Sequence, residues 1–257
     1  MARKTLKQDW AVFTDGDFKV ENNVWNKGDL VNGKDYTQSI SLDTKHMTTE
    51  LKFSWNWPQS DDIRAYPEIV AGYKPWSQSG TDNLTTRISD LDRMKVDIDY
   101  DITGDTDMFN AAFDIWLTKK PGASSDSITT EVMIWTHVGD IDPEGRKVGH
   151  YHNSDFDGEI WVANNFRHEG NTSSWKYITI VSDDEIRHDT IDIADILDNL
   201  VDRKLVKSSD FFNGYEFGAE LTGGKGSMTI HDIDHTFATA RGHGTEMQAQ
   251  VSDAFLF

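Results

Sequence analysis

Three short segments hold carboxylates where reaction chemistry, rather than solubility, could use them. Thr129 to Trp135 reads as a strand, because β-branched residues and a Trp surround a single glutamate. Side chains alternate along a strand, so Glu131, Met133 and Trp135 share one face and Val132 and Ile134 share the other. A carboxylate between a thioether and an indole suits the floor of a cleft that takes a ring-shaped ligand. Gly214 to Leu221 repeats the theme, with Glu216, Gly218 and Glu220 on one face. In Ala112 to Leu117, Asp114 shares a face with Trp116. Glycosidic bond cleavage needs two carboxyl groups across the bond, one to protonate the leaving oxygen and one to attack or to activate water. Glu131 with either Glu216 or Glu220 meets that need. Alternation alone does not choose between the two, and strand carboxylates are also common on solvated sheet faces. A third carboxylate such as Asp114 would orient the nucleophile, or shift a pKa by like charge.

The elements that must position these groups are short strands separated by Gly, Asp, Asn and Ser. They are read at 18–25, 48–57, 95–102, 111–117, 131–138, 158–163 and 175–181. Such spacing predicts an all-β antiparallel sandwich or barrel. In 95–102, Val96, Ile98, Tyr100 and Ile102 are expected inside and the aspartates outside. One segment has helical period instead, with apolar residues at 193, 196, 197, 200 and 201. Asp192 is its expected N-cap, and the helix is expected on the outer face of a sheet. One domain is expected over 1–237, with a C-terminal extension or linker over 238–257.

Composition narrows the function classes. The chain has 257 residues, a net charge of −19 and no cysteine. Disulfide and thiol chemistry are excluded, and a polyanion such as nucleic acid would be repelled. A neutral polysaccharide is compatible with the charge. There are nine Trp, and Trp10, Trp25, Trp55, Trp57 and Trp76 crowd the first third, where exposed rings could stack on sugar faces. His150 with His152 and His231 with His235 lack a third ligand at metal spacing, so no metal and no cofactor is expected. No phosphate-binding loop, dinucleotide fingerprint or Gly-x-Ser-x-Gly occurs. No apolar run is long enough to span a bilayer, and no membrane partner is expected. The N-terminus lacks the apolar core of a signal peptide. Secretion with the leader removed is the expectation, with a cytoplasmic location as the alternative, and a monomer is expected.

At this point the motifs match a family. The chain resembles glycoside hydrolase family 12, small endoglucanases and xyloglucanases with a β-jelly-roll fold. The resemblance is carried by Trp10 to Thr14 with Val20 to Trp25, by Trp55-Asn56-Trp57-Pro58, and by Ala65 to Ile69 running to Gly72-Tyr73-Lys74-Pro75-Trp76. It continues through Phe113-Asp114-Ile115-Trp116, Glu131 to Trp135 with the loop 139–145, and Tyr215 to Glu220. It implies two antiparallel sheets with one helix on the outer face. It also implies a retaining endo-β-1,4-glucanase acting on β-glucan, with Glu131 as nucleophile, Glu220 as general acid/base and Asp114 in support. Met133 would lie beside the nucleophile, and Asn23 and Trp25 would bind sugar on the non-reducing side. Trp76, Trp135 and Glu216 complete the expected substrate-binding set. Ala219 and Leu221 flank Glu220 where members usually carry Thr and Pro or Ile, and Asn26 follows Trp25 in place of Gly. Those departures bear on subsite preference. The alternatives are xyloglucan or mixed-linkage glucan hydrolysis on the same carboxylates, and a noncatalytic glycan-binding jelly roll.

Overall fold

A computed structural model describes residues 3–45, 47–48, 50–76, 84–122, 124–167 and 173–240, and the backbone of Met247–Gln248. Two sheets form a sandwich. One runs Arg3–Leu6, Thr37–Asp43, Leu51–Trp57, Gly224–Thr239, Leu91–Gly104, His188–Asp192 in spatial order. The other runs Arg146–His152, Asp157–Phe166, Trp175–Ser182, Ile128–His137, Phe109–Thr118, Gly214–Leu221, Glu68–Gly72, Phe18–Glu21, Val12–Asp15. Pairing between named strands is antiparallel except at one seam, where Ile128–His137 and Trp175–Ser182 run parallel. The expected two-sheet jelly roll is therefore present, with one parallel neighbour inside its second sheet.

The alternation read from sequence sets the core. Val96, Ile98, Tyr100 and Ile102 are buried, as expected, while Asp97 and Asp101 are exposed. From the second sheet, Phe113, Ile115, Val132, Ile134 and Phe217 pack into the same cluster as Ile40, Phe53 and Met228 of the first. Tyr100 meets Phe217 edge-on at 5.4 Å between ring centroids, joining the two layers. Trp55 and Trp57 belong to this core, and Trp57 stacks on Tyr36. Burying an aromatic ring of this size removes on the order of 200 Å² from water, which explains why these two face inward.

The helix is found at Ile193–Asp202. Asp192 caps it, accepting a hydrogen bond from the Asp195 backbone N–H at 3.1 Å. Ile193, Ile196, Leu197 and Leu200 join the main core, and the helix packs against Leu91–Gly104 of the first sheet. The strand expected over 18–25 stops at Glu21. There the Asn22 side-chain amide donates to the Gln8 carbonyl at 2.9 Å, and the Asn23 side-chain Oδ1 accepts from the Trp25 N–H at 3.0 Å, an Asx-type turn. The last long strand continues through Thr239, and Met247–Gln248 pairs back onto it. The rest of the expected tail, 241–246 and 249–257, lies outside the described residues.

Candidate active site

The second sheet turns one face to the core and the other to an open cleft of about 350 Å³. Register explains why carboxylates gather there. Across the Asp114 strand, Asp114 pairs with Met133 on one side and with Glu216 on the other. Glu131 pairs with Trp116 and Tyr177, and Glu220 pairs with Asn110. Register partners share a face, so Glu131, Met133, Asp114, Glu216 and Glu220 all line the cleft. Each of the four carboxylates is buried, although a surface strand would leave them wet.

Their surroundings differ. Glu131 accepts a hydrogen bond from the Trp175 indole N–H at 2.6 Å. Beneath it, the Tyr177 hydroxyl donates to the Met133 sulfur at 2.9 Å. Asp114 is buried among like charges. Burial above all, then the charge of Glu131, then those of Glu216 and Glu220, push its carboxyl well above the usual range. Burial, followed by the charges of Glu220, Glu131 and Asp114, likewise raises the Tyr177 phenol. Glu216 is held from two sides, accepting from the Trp116 indole at 3.0 Å and pairing with Lys74 at 3.1 Å. Both its oxygens are thus engaged by the protein.

The walls are aromatic. Trp10, Trp25 and Trp76 line the cleft with 48%, 42% and 57% of their surfaces exposed, unusual for a side chain that is highly buried on average. Trp10 and Trp76 also hold left-handed backbone, with φ of 62° and 61°. Such strain in a bulky residue persists where surrounding structure over-determines it, typically at ligand sites. Trp76 sits edge-on to Trp116 at 5.1 Å and near Trp175 at 6.0 Å. Asn23 lines the cleft and donates to Glu68 at 2.9 Å.

The expected site residues Glu131, Glu220, Asp114, Asn23, Trp25, Trp76, Met133 and Glu216 are brought together in this cleft. Trp135 is not. It shares the face of Glu131 but is only 2% exposed, clustered with Met133, Ala112 and Tyr177, and Ile141 and Phe166 pack against that cluster. The expected sugar contact at Trp135 meets a side chain that is packed beside the cleft and is not part of its lining. The structure adds Trp10, Tyr66, Lys74 and Trp116 to the lining, and Trp175 as the partner of Glu131. Lys74 lies inside a family-like motif, and Trp175 opens an expected strand; neither carries a local signal of what it touches. The paired histidines are hydrogen-bonded rather than metal-like: His150 meets Asp183 at 2.8 Å and His235 meets the Tyr215 hydroxyl at 3.2 Å. Among the described residues no cluster of three potential metal ligands occurs. Nor is any described helix long and apolar enough to cross a membrane.

Comparison with known proteins agrees with this architecture. A model of glycosyl hydrolase family 12 matches residues 16–237. Endoglucanase S of Pectobacterium parmentieri is 28% identical over 225 residues, covering 85% of this chain and 81% of that protein. A xyloglucan-specific endo-β-1,4-glucanase A of Emericella nidulans is 20% identical over 226 residues, covering 86% of each. The native family 12 xyloglucanase from Bacillus licheniformis has a TM-score of 0.80 and 25% identity, covering 91% of this chain and 100% of that one. The sandwich and its carboxylate-floored cleft are those of a jelly-roll glycoside hydrolase. More particularly, the chain belongs to glycosyl hydrolase family 12.

Proposed function

We propose that this protein is a retaining endo-β-1,4-glucanase in which Glu131 is the nucleophile, Glu220 the general acid/base and Asp114 the support of the nucleophile. The observation that carries the reading is the convergence of these three carboxyls in one Trp-walled cleft. In the first step Glu220 protonates the glycosidic oxygen while Glu131 attacks the anomeric carbon. In the second, Glu220 takes a proton from water, which displaces Glu131 and restores the original anomeric configuration. Trp175 holds the Glu131 carboxylate for attack. Burial and like charge favour the neutral form of Asp114, and that form spares the nucleophile a second negative charge at its side. Trp25 and Trp76 offer apolar faces to sugar rings, and the relatives named as endoglucanases support attack within a chain. Secretion and action as a monomer belong to the same reading, since a glucan polymer is met outside the cell.

Hydrolysis of xyloglucan by the same carboxylates is the second reading. It is favoured by the likeness to the Bacillus licheniformis and Emericella nidulans proteins, both named for xyloglucan. A reducing-end assay on carboxymethyl cellulose, mixed-linkage glucan and xyloglucan separates the two by relative rate. Glu131→Gln serves as control and should lower turnover by about 10³-fold or more. Near-normal turnover by that variant sinks the assignment. Binding without release of reducing ends from any substrate would mark a noncatalytic glycan-binding module instead.

A further inference from the structure

Lys74 plays no part in the double displacement, yet it is a largely buried cation at the cleft wall, its side chain 11% exposed. The strand Glu68–Gly72 ends at Gly72, whose φ of +81° only glycine adopts without strain. A Cβ there would stand 2.3 Å from the Asn213 carbonyl oxygen, so the chain crosses its neighbour at closest approach and turns. The turn brings the Lys74 ammonium within 2.6 Å of Glu68 and 3.1 Å of Glu216.

These two carboxylates each hold a group that lines the cleft. Glu68 Oε1 accepts from the Asn23 amide at 2.9 Å, and Glu216 Oε1 accepts from the Trp116 indole at 3.0 Å. One ammonium therefore links the turn after Phe18–Glu21 to the Asp114 strand. Two carboxylates facing a single ammonium would leave a net negative charge away from water, which is costly. Glu68 removes the excess. Burial first, then the charge of Glu216, push its carboxyl well above the usual range, against the opposing effect of Lys74. Its Oε2 is buried and accepts no hydrogen bond among the described residues, and a side-chain hydrogen bond to Glu216 adds to the upward push. A proton on that oxygen can be donated to Glu216, leaving Lys74 and Glu216 as a balanced ion pair.

We propose that Lys74 is a positioning residue that sets the spacing between the Asn23 and Trp116 walls, and so the fit of the glucosyl ring between them. The inference rests on the glucanase reading and deepens it. Lys74 acts through Asn23 and Trp116, so its loss should appear in KM before kcat. On a soluble cello-oligosaccharide, Lys74→Met should raise KM about tenfold with kcat changed by less than about threefold. Glu68→Gln should keep both constants within about twofold, because its amide oxygen still accepts from Asn23 and Lys74 and its amide nitrogen still donates to Glu216. Glu68→Ala, which cuts the tie to Asn23, should raise KM as Lys74→Met does.

A folded Lys74→Met with unchanged KM overturns the proposal. So does a Glu68→Gln as damaged as Glu68→Ala, and this pair decides the matter if Lys74→Met does not fold. Glu131→Gln measured alongside keeps the two readings apart. An inactive Glu131→Gln beside a normal Lys74→Met rejects the clamp alone; an active Glu131→Gln rejects the nucleophile assignment, and no release of reducing ends by the unaltered protein rejects the glucanase reading itself.

Discussion

The Trp175 indole N–H donates to Oε2 of Glu131 at 2.6 Å, across the one seam where named strands run parallel. A hydrogen bond to an ionised acceptor is roughly twice as strong as a neutral one, and it fixes the direction of the carboxylate. Trp175→Phe keeps the ring and removes the donor. It should lower kcat by about ten- to a hundredfold while KM changes little, as expected when an attacking group loses its orientation. Steady-state kinetics on a soluble β-glucan checks this, and an unchanged kcat would show that Glu131 needs no such support.

Asp114 and Glu68 predict an unusual pH dependence of stability. Both carboxyls are raised in the folded protein, chiefly by burial, so the fold keeps protons that the unfolded chain releases above about pH 4. Where the native state binds more protons than the unfolded state, stability falls as pH rises. The contribution of these groups is thus fully present below their unfolded pKa and is lost progressively toward their raised folded values. Asp114→Asn removes one of them and should flatten the decline of Tm between about pH 4 and 7. Thermal scans at a series of pH values test this; parallel curves for the two proteins would count against a neutral Asp114.

Gly72→Ala should destabilise strongly. Its Cβ would meet the Asn213 carbonyl oxygen at 2.3 Å while the backbone sits at positive φ. Strain and overpacking together should cost about 3 kcal/mol. Urea unfolding measures it, and a loss below about 1 kcal/mol would mean that the crossing relaxes easily.

Asp192→Ala removes the helix cap and also the partner of Lys95, which lies 3.0 Å away on the neighbouring strand. The cap should account for about 1 kcal/mol, and the half-exposed ion pair for little more. Lys95→Ala measured beside it separates the two, since it breaks the ion pair and spares the cap.

Local period made much of this molecule legible. The alternation through Val96, Ile98, Tyr100 and Ile102 reports burial directly, because a strand with one wet face must sort its side chains by side. The helix at Ile193–Asp202 was visible for the equivalent reason at a period of 3.6, with Asp192 marking its start. Trp135 shows where local period stops being informative. Parity placed it correctly on the face of Glu131, but parity does not reveal that it is buried in a cluster against which Ile141 and Phe166 pack. The strand at Phe18–Glu21 ended early because Asn22 and Asn23 spend their side chains on distant and turn-forming partners.

By itself the sequence determined which side chains share a face and where the helix begins, and its motifs single out the glutamates proposed for the reaction. Those properties depend on residues within a few positions of one another, so they survive in a one-dimensional reading. Tertiary structure alone decided that Trp175 would meet Glu131 from a parallel neighbour, and that Lys74 would lie between Glu68 and Glu216. Neither follows from local pattern, because strand order and the crossing at Gly72 arise from pairing between segments far apart in the chain. Burial then makes those encounters matter, since a charge removed from water must find its partner inside the fold.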